Sequence, residues 1–134
     1  MSDRSYRFTH AITRLPATSA VAGIRAVDTG APDINLIRKH HADYVAALKA
    51  EGATVIELPA LEAYPDAQFV EDTALCLREG AVVMRPGAPT RLGEAAEMAP
   101  VLHRFYDEVL TIDGPGTFFF NDAATTETEI LVGT

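Results

Sequence analysis

The order of strand-like and helix-like runs is what most constrains this chain. Residues 69 to 78, FVEDTALCLR, and 81 to 85, AVVMR, read as two strands joined around Glu79-Gly80. Pro86-Gly87-Ala88-Pro89 then breaks the sheet, since proline cannot donate to a ladder. A helix is expected from about Gly93 to Glu108, with Ala96, Val101, Leu102, Phe105 and Val109 as inner-face candidates, and VLTI at 109 to 112 closes the unit as a strand. Residues 69–112 therefore read strand, strand, helix, strand.

The earlier half repeats most of that order. RFTHAITRL at 7 to 15 is a strand ended by Pro16, and Thr18 to Pro32 is a loop or short helix. Asp33 starts a firm helix whose inner face carries Ile34, Ile37, His41, Tyr44, Val45 and Leu48, and Gly52 is placed to end it. TVIELP at 54 to 59 follows as a strand. Residues 7–59 thus look like the same unit with one strand missing. After Gly114 a further pair of strands begins, the second being EILVG at 129 to 133. The expectation is an α/β chain of repeated modules, two of them and the opening of a third.

With 134 residues, 48% of them hydrophobic and 22% charged, the chain can bury a core as one domain, 1–134. The net charge of −8, from 19 acidic and 11 basic residues, disfavours nucleic acid, whose binding needs phosphates neutralised by basic groups. It suits a cationic small molecule. MSDRSYRFTH lacks the apolar core of a signal peptide, no run is long enough to span a bilayer, and the single cysteine, Cys76, fits a reducing cytoplasm.

YPDAQFVED, residues 64 to 72, sets Asp66, Glu71 and Asp72 within seven positions, with Phe69 and Val70 running directly into the last two. Such carboxylates cost free energy unless a cation meets them. Two readings are open. One is a solvated loop with a salt bridge to Arg85 or Arg91. The other is a receptor for a planar guanidinium, whose forked N–H groups match a carboxylate.

FVEDTALCL followed by AVVMRPGAPTR resembles the dimethylarginine dimethylaminohydrolase family of the guanidino-modifying superfamily, as do ELPALEAYPD and THAITRLPATSAVAGI. The likeness runs from about Phe8 to Gly116 and resumes at EILVG. It implies a pseudo-symmetric propeller of strand-strand-helix-strand modules (pentein type) around a substrate channel. It also implies hydrolysis of methylated arginine to citrulline and an alkylamine, with no cofactor. Carried over by position, Asp72 would hold the guanidinium, Glu71 would support it, Asp66 would bind the α-amino group and Arg91 the α-carboxylate. Ala20 stands where the family has a lid leucine that contacts substrate partly through its carbonyl. A guanidino amino acid is the partner implied, with a homodimer as an option and neither nucleic acid nor membrane expected. An arginine deiminase activity, or a non-catalytic fragment, is the alternative.

The family's nucleophilic cysteine and its acid–base histidine lie C-terminal to the region of resemblance, so no catalytic residue is assigned and the chain is expected to be a truncated, substrate-binding half. Cys76 sits in an apolar strand and reads as structural. His41 reads as a packed, hydrogen-bonded core histidine, and His10, His40, His41 and His103 show no metal-ligand spacing. At 117 to 126, TFFFNDAATT puts Phe119 where the family has an acidic residue, while Asp122 still aligns with an Asp. FFFNDAATTE also resembles a translated adapter, and 117–128 is expected to be aberrant, an ordinary buried strand being the alternative.

Overall fold

The computed structural model of the chain describes residues 8–114 and the strand at 130–132. The elements in order are β1 (His10–Arg14), α1 (Ile34–Ala50), β2 (Thr54–Leu58), β3 (Ala74–Cys76), β4 (Ala81–Val83), α2 (Leu92–Leu102), β5 (Val109–Thr111) and β6 (Ile130–Val132). Short 3-10 turns lie at Thr18–Ala22, Val70–Asp72 and Pro89–Arg91. The strands form two three-stranded sheets, β2-β1-β6 and β3-β4-β5. In the first, all pairings are parallel, with His10 opposite Thr54 and Ile130. In the second, β3 and β4 form an antiparallel hairpin and β5 lies parallel to β4.

α1 forms where its local signals agree. The Asp33 carboxylate accepts the N–H groups of Asn35 and Leu36 at 2.8 and 3.4 Å, an N-cap that satisfies two orphan donors. Gly52, at φ 95°, supplies the left-handed residue that closes the far end. Of the expected inner face, His41 and Val45 are buried and Ile34, Ile37, Tyr44 and Leu48 are half-buried.

Both sheets share one core. Ile12 and Leu58 of the first pack with Val70, Ala74, Cys76, Ala81 and Val83 around the second, and Met98 and Leu102 of α2 cover them. The α2 face is Glu94, Met98 and Leu102, spaced by four, and Ala96, expected inside, is exposed. The helix also stops at Leu102, six residues before Glu108. There the N–H groups of Phe105 and Tyr106 both reach the Leu102 carbonyl at 3.0 Å, and a shared carbonyl of this kind tightens the last turn and ends the helix.

A second departure concerns FVEDTALCLR. Only Ala74–Cys76 is strand, and Val70–Asp72 is a 3-10 turn. Thr73 holds it closed, donating to the Val70 carbonyl from its N–H at 3.0 Å and from its hydroxyl at 2.7 Å. Such a side-chain bond three residues back competes with a sheet ladder. The EILVG strand pairs with β1 inside the first sheet, and its expected partner strand and the stretch 117–128 lie outside the described residues. No helix among the described residues is long and apolar enough to cross a membrane.

The core assignment has a direct test. Leu102→Ala, at a side chain 0% exposed, is expected to cost about 2–5 kcal/mol in urea unfolding. Leu110→Ala, at a side chain 58% exposed, is expected to change stability by less than about 0.5 kcal/mol. Similar losses at both positions would place the core elsewhere.

Candidate functional site

Residues 64–73 are a chain of tight turns. The N–H groups of Ala67, Phe69, Asp72 and Thr73 bond back to the carbonyls of Tyr64, Asp66, Phe69 and Val70 at 3.0–3.3 Å. This lifts Asp66, Glu71 and Asp72 out of any strand and lets their carbonyls and carboxylates face different ways.

Arg91 gathers them. It ends the Pro89–Arg91 turn, where the proline-broken segment enters α2. Its NH2 group donates to the carbonyls of Asp66 (3.1 Å) and Phe69 (3.0 Å). Its NH1 group donates to the Asp72 carboxylate. On the other edge, Nε and NH2 form a two-toothed contact with Glu94, at 2.7 and 2.9 Å. The Arg91 and Glu94 side chains are 11% and 3% exposed, whereas Asp72 is 50% exposed. Burial works against the arginine charge, but the bonds from Glu94 and Asp72 outweigh it and hold the guanidinium above its ordinary pKa.

Asp66 is engaged differently. It is buried, and both carboxylate oxygens accept the N–H of Ile24, at 3.2 and 3.1 Å. Gly23 makes that approach feasible, because a Cβ there would stand 2.5 Å from Asp66 Oδ1. Glu62 secures the start of the same segment, accepting the N–H groups of Thr18 and Ser19 at 2.8 and 3.0 Å. These bonds pull the Glu62 pKa below the usual carboxylate range. Between the two carboxylates lies Ala20, buried, its carbonyl accepting the Gly23 N–H at 3.1 Å.

The structure thus joins Asp72 to Arg91, and Asp66 to the segment bearing Ala20. Glu62 and Glu94 were missed in the sequence. For Glu94 the signal existed, an acid three residues after an arginine on a helix.

No family model matches the chain. It is 39% identical over 111 residues to the N(G),N(G)-dimethylarginine dimethylaminohydrolase of Pseudomonas aeruginosa, covering 82% of this chain and 44% of that protein. The enzyme of the same name from Streptomyces coelicolor is 31% identical over 124 residues, 92% of this chain and 48% of the relative. A solved structure of the Pseudomonas enzyme, a cysteine-to-serine variant complexed with citrulline, matches with TM-score 0.78 and 36% identity, over 81% of this chain and 44% of that one. The chain is a homologue of the dimethylarginine dimethylaminohydrolases. It spans less than half the length of these two curated relatives. A cyanobacterial arginine dihydrolase domain, 18% identical with TM-score 0.68 over 80% of this chain, shares the α/β pentein fold.

Cys76 is 4% exposed within the core. Burial pushes its thiol up to about 11, against a smaller opposing effect from a hydrogen bond with Tyr106, so near neutral pH it is a thiol and a poor nucleophile. His41 is packed as expected, but its Nε2 has no hydrogen-bond partner among the described residues, and burial lowers its pKa against the pull of Glu57. His10 contacts the Thr9 hydroxyl at 2.7 Å and lies 5.8 Å from the Phe105 ring. No group of three or more His, Cys, Asp or Glu among the described residues is arranged to hold a metal.

Glu71 is the loop's unsatisfied member. Its Oε2 is buried without a hydrogen-bond partner among the described residues. Burial raises its pKa, the Asp72 charge adds to the rise, and its own backbone N–H and Arg91 oppose it. The Glu71 charge reaches Tyr44 on α1 too, adding to the burial that raises the phenol's pKa. A carboxylate that holds its proton more tightly when folded stabilises the fold most below its unfolded pKa of about 4.3. That contribution is lost as pH rises through the raised folded value. Glu71→Gln is therefore expected to be more stable than the native chain near neutral pH in urea unfolding. The gain should vanish when both are measured well below the ordinary carboxylate pKa. A less stable Gln variant at neutral pH would mean that the Glu71 charge already has a partner.

Proposed function

We propose that this chain is the substrate-binding part of a dimethylargininase-type hydrolase, which converts Nω-methylated arginine to citrulline and an alkylamine. The observation that carries this is the acidic loop gathered on Arg91, in a chain 36% identical to an enzyme solved with citrulline. A second relative, 28% identical with TM-score 0.79, was solved as a histidine-to-glycine variant in an adduct with S-methyl-L-thiocitrulline. Both bound molecules share the amino-acid head and planar ureido-like tail of a guanidino amino acid.

Such a ligand is a zwitterion with a cationic end, so it calls for two anionic receptors and one cationic one. Asp72, half exposed beside Glu71, supplies the anionic pair for the guanidinium. Asp66 takes the ammonium from beneath the Ala20 segment, and Ala20 keeps one carbonyl lone pair for the ligand. Arg91 takes the carboxylate. The reaction itself is covalent: a thiolate attacks the guanidinium carbon, the amine leaves with a proton from a histidine, and water releases citrulline from the adduct. Cys76 does not serve, so the nucleophile and histidine belong to the part of the protein that relatives carry beyond this length. In the complete protein the two sheets are modules of a propeller, residues 1–134 being one substrate-binding piece of it, in the cytoplasm.

The isolated chain is expected to release no citrulline from dimethylarginine. Release that Cys76→Ser abolishes would overturn the account of Cys76. Completing the chain with the remaining part of the Pseudomonas relative tests the site itself. Removing one member of a fully desolvated charge pair costs about 3–5 kcal/mol, roughly two to three and a half orders of magnitude in kcat/KM. Asp72 is half exposed, so solvent screening keeps Asp72→Asn below that ceiling, with a loss still larger than that of Asp66→Asn, which should mainly raise KM. Small, equal effects at both positions would end the guanidino-site reading.

A further inference from the structure

Glu94 is the most buried carboxylate among the described residues, 3% exposed at the start of α2. A carboxylate removed from water is costly unless charge and hydrogen bonds meet it. Arg91 meets it with a two-toothed fork, Nε to Oε2 at 2.7 Å and NH2 to Oε1 at 2.9 Å. The backbone around this fork is also fixed. A Cβ at Gly93 would stand 2.0 Å from the Tyr64 hydroxyl, so Tyr64 of the acidic loop rests directly on the first turn of α2.

A guanidinium has five N–H donors, and here their allocation is nearly complete. Nε is spent on Glu94, and the two hydrogens of NH2 serve Glu94 and the carbonyls of Asp66 and Phe69. NH1 has two hydrogens, and Asp72 is its partner. The outward side of Arg91 is therefore NH1. We propose that Glu94 is a positioning residue: it aims Arg91 so that a ligand carboxylate is received on the NH1 edge alone, beside or in place of Asp72. Arg91 is then a one-toothed receptor. A carboxylate arriving there loosens Asp72 from its arginine and leaves it available to the cationic end of the same ligand. The ligand step rests on the guanidino-amino-acid reading above, whereas the aim of Arg91 does not.

The test uses the 134-residue chain and side-chain NMR of the Arg91 Nε–H. In the native chain that signal is expected to be protected from solvent exchange and shifted from free arginine. Glu94→Gln should move it to the free-arginine position while the backbone fingerprint stays folded. An unmoved signal would overturn the proposal. Because Glu94→Gln strands part of a buried charge and could fail to fold, Asp72→Asn provides a second arm. It leaves the fork untouched, so the Nε–H signal should persist, and its loss would overturn the claim that Glu94 sets the aim. Citrulline is then titrated into each folded form. Binding at least about tenfold weaker in Glu94→Gln than in the native chain supports positioning, and equal binding refutes it. Failure of citrulline to bind the native chain would instead count against the guanidino reading, with the aim of Arg91 still decided by the Nε–H signal.

Discussion

The acidic loop is held to α2 by the guanidinium of Arg91. One largely enclosed cation holds the backbone of Asp66 and Phe69, the Asp72 side chain and the Glu94 carboxylate at once. Neither charge of the Arg91–Glu94 pair would tolerate burial alone. Together, with the two carbonyls completing the donors, they hold the turn chain 64–73 against the first turn of α2. Arg91 can do this because the segment before it, RPGAPTR, is prevented by its prolines from joining the sheet. The chain there must turn, and the Pro89–Arg91 turn delivers the side chain at the helix start.

The N-terminal segment is tied to the same loop by carboxylates acting on backbone N–H groups. Glu62 holds its beginning and Asp66 its end. Each is a charge-assisted bond to donors that no helix or strand satisfies. Asp66 thereby joins two elements: its carbonyl belongs to Arg91 and its side chain to Ile24. Its carboxylate is in turn enclosed by Gly23, the one residue type whose missing Cβ permits a backbone so near.

How far this was legible in the sequence depends on how local each cause is. α1 could be read to its ends, because Asp33 and Gly52 act on their own neighbours. The strand, strand, helix, strand order of 69–112 was legible too, since hydrophobic runs and prolines mark it. What could not be read is the turn at Val70–Asp72. FVEDTALC has the apolar content of a strand, and only the Thr73 hydroxyl and an arginine nineteen positions away draw it into a turn. The face of α2 slipped for a related reason. Ala96 looks like a better core residue than Glu94, and burial of Glu94 makes sense only once Arg91 is beside it. Asp66, Glu71 and Asp72 were found as a charge pattern, and a salt bridge from the loop to Arg85 or Arg91 was one of the two readings it left open; that Arg91 is the partner, and Asp72 the carboxylate, is a fact of three dimensions.

The site that results is unbalanced in a way that bears on what it can take. Its cationic capacity is almost fully used inside the protein, because most of the Arg91 donors already have acceptors. Its anionic capacity is not. Glu71 keeps a buried oxygen with no partner among the described residues, at the cost of a raised pKa, and Asp72 shares one arginine while half its surface meets water. A ligand that brought only a carboxylate would have to compete with Asp72 and would leave Glu71 unsatisfied. A ligand that brought a cation as well would repair both deficits, giving Asp72 a new partner and the Glu71 Oε2 the one it lacks among the described residues. The excess of acid over base in the whole chain points the same way, but the local imbalance is the stronger statement. It belongs to two named side chains, Glu71 and Asp72, beside one arginine, and a planar cation with several donors would meet both.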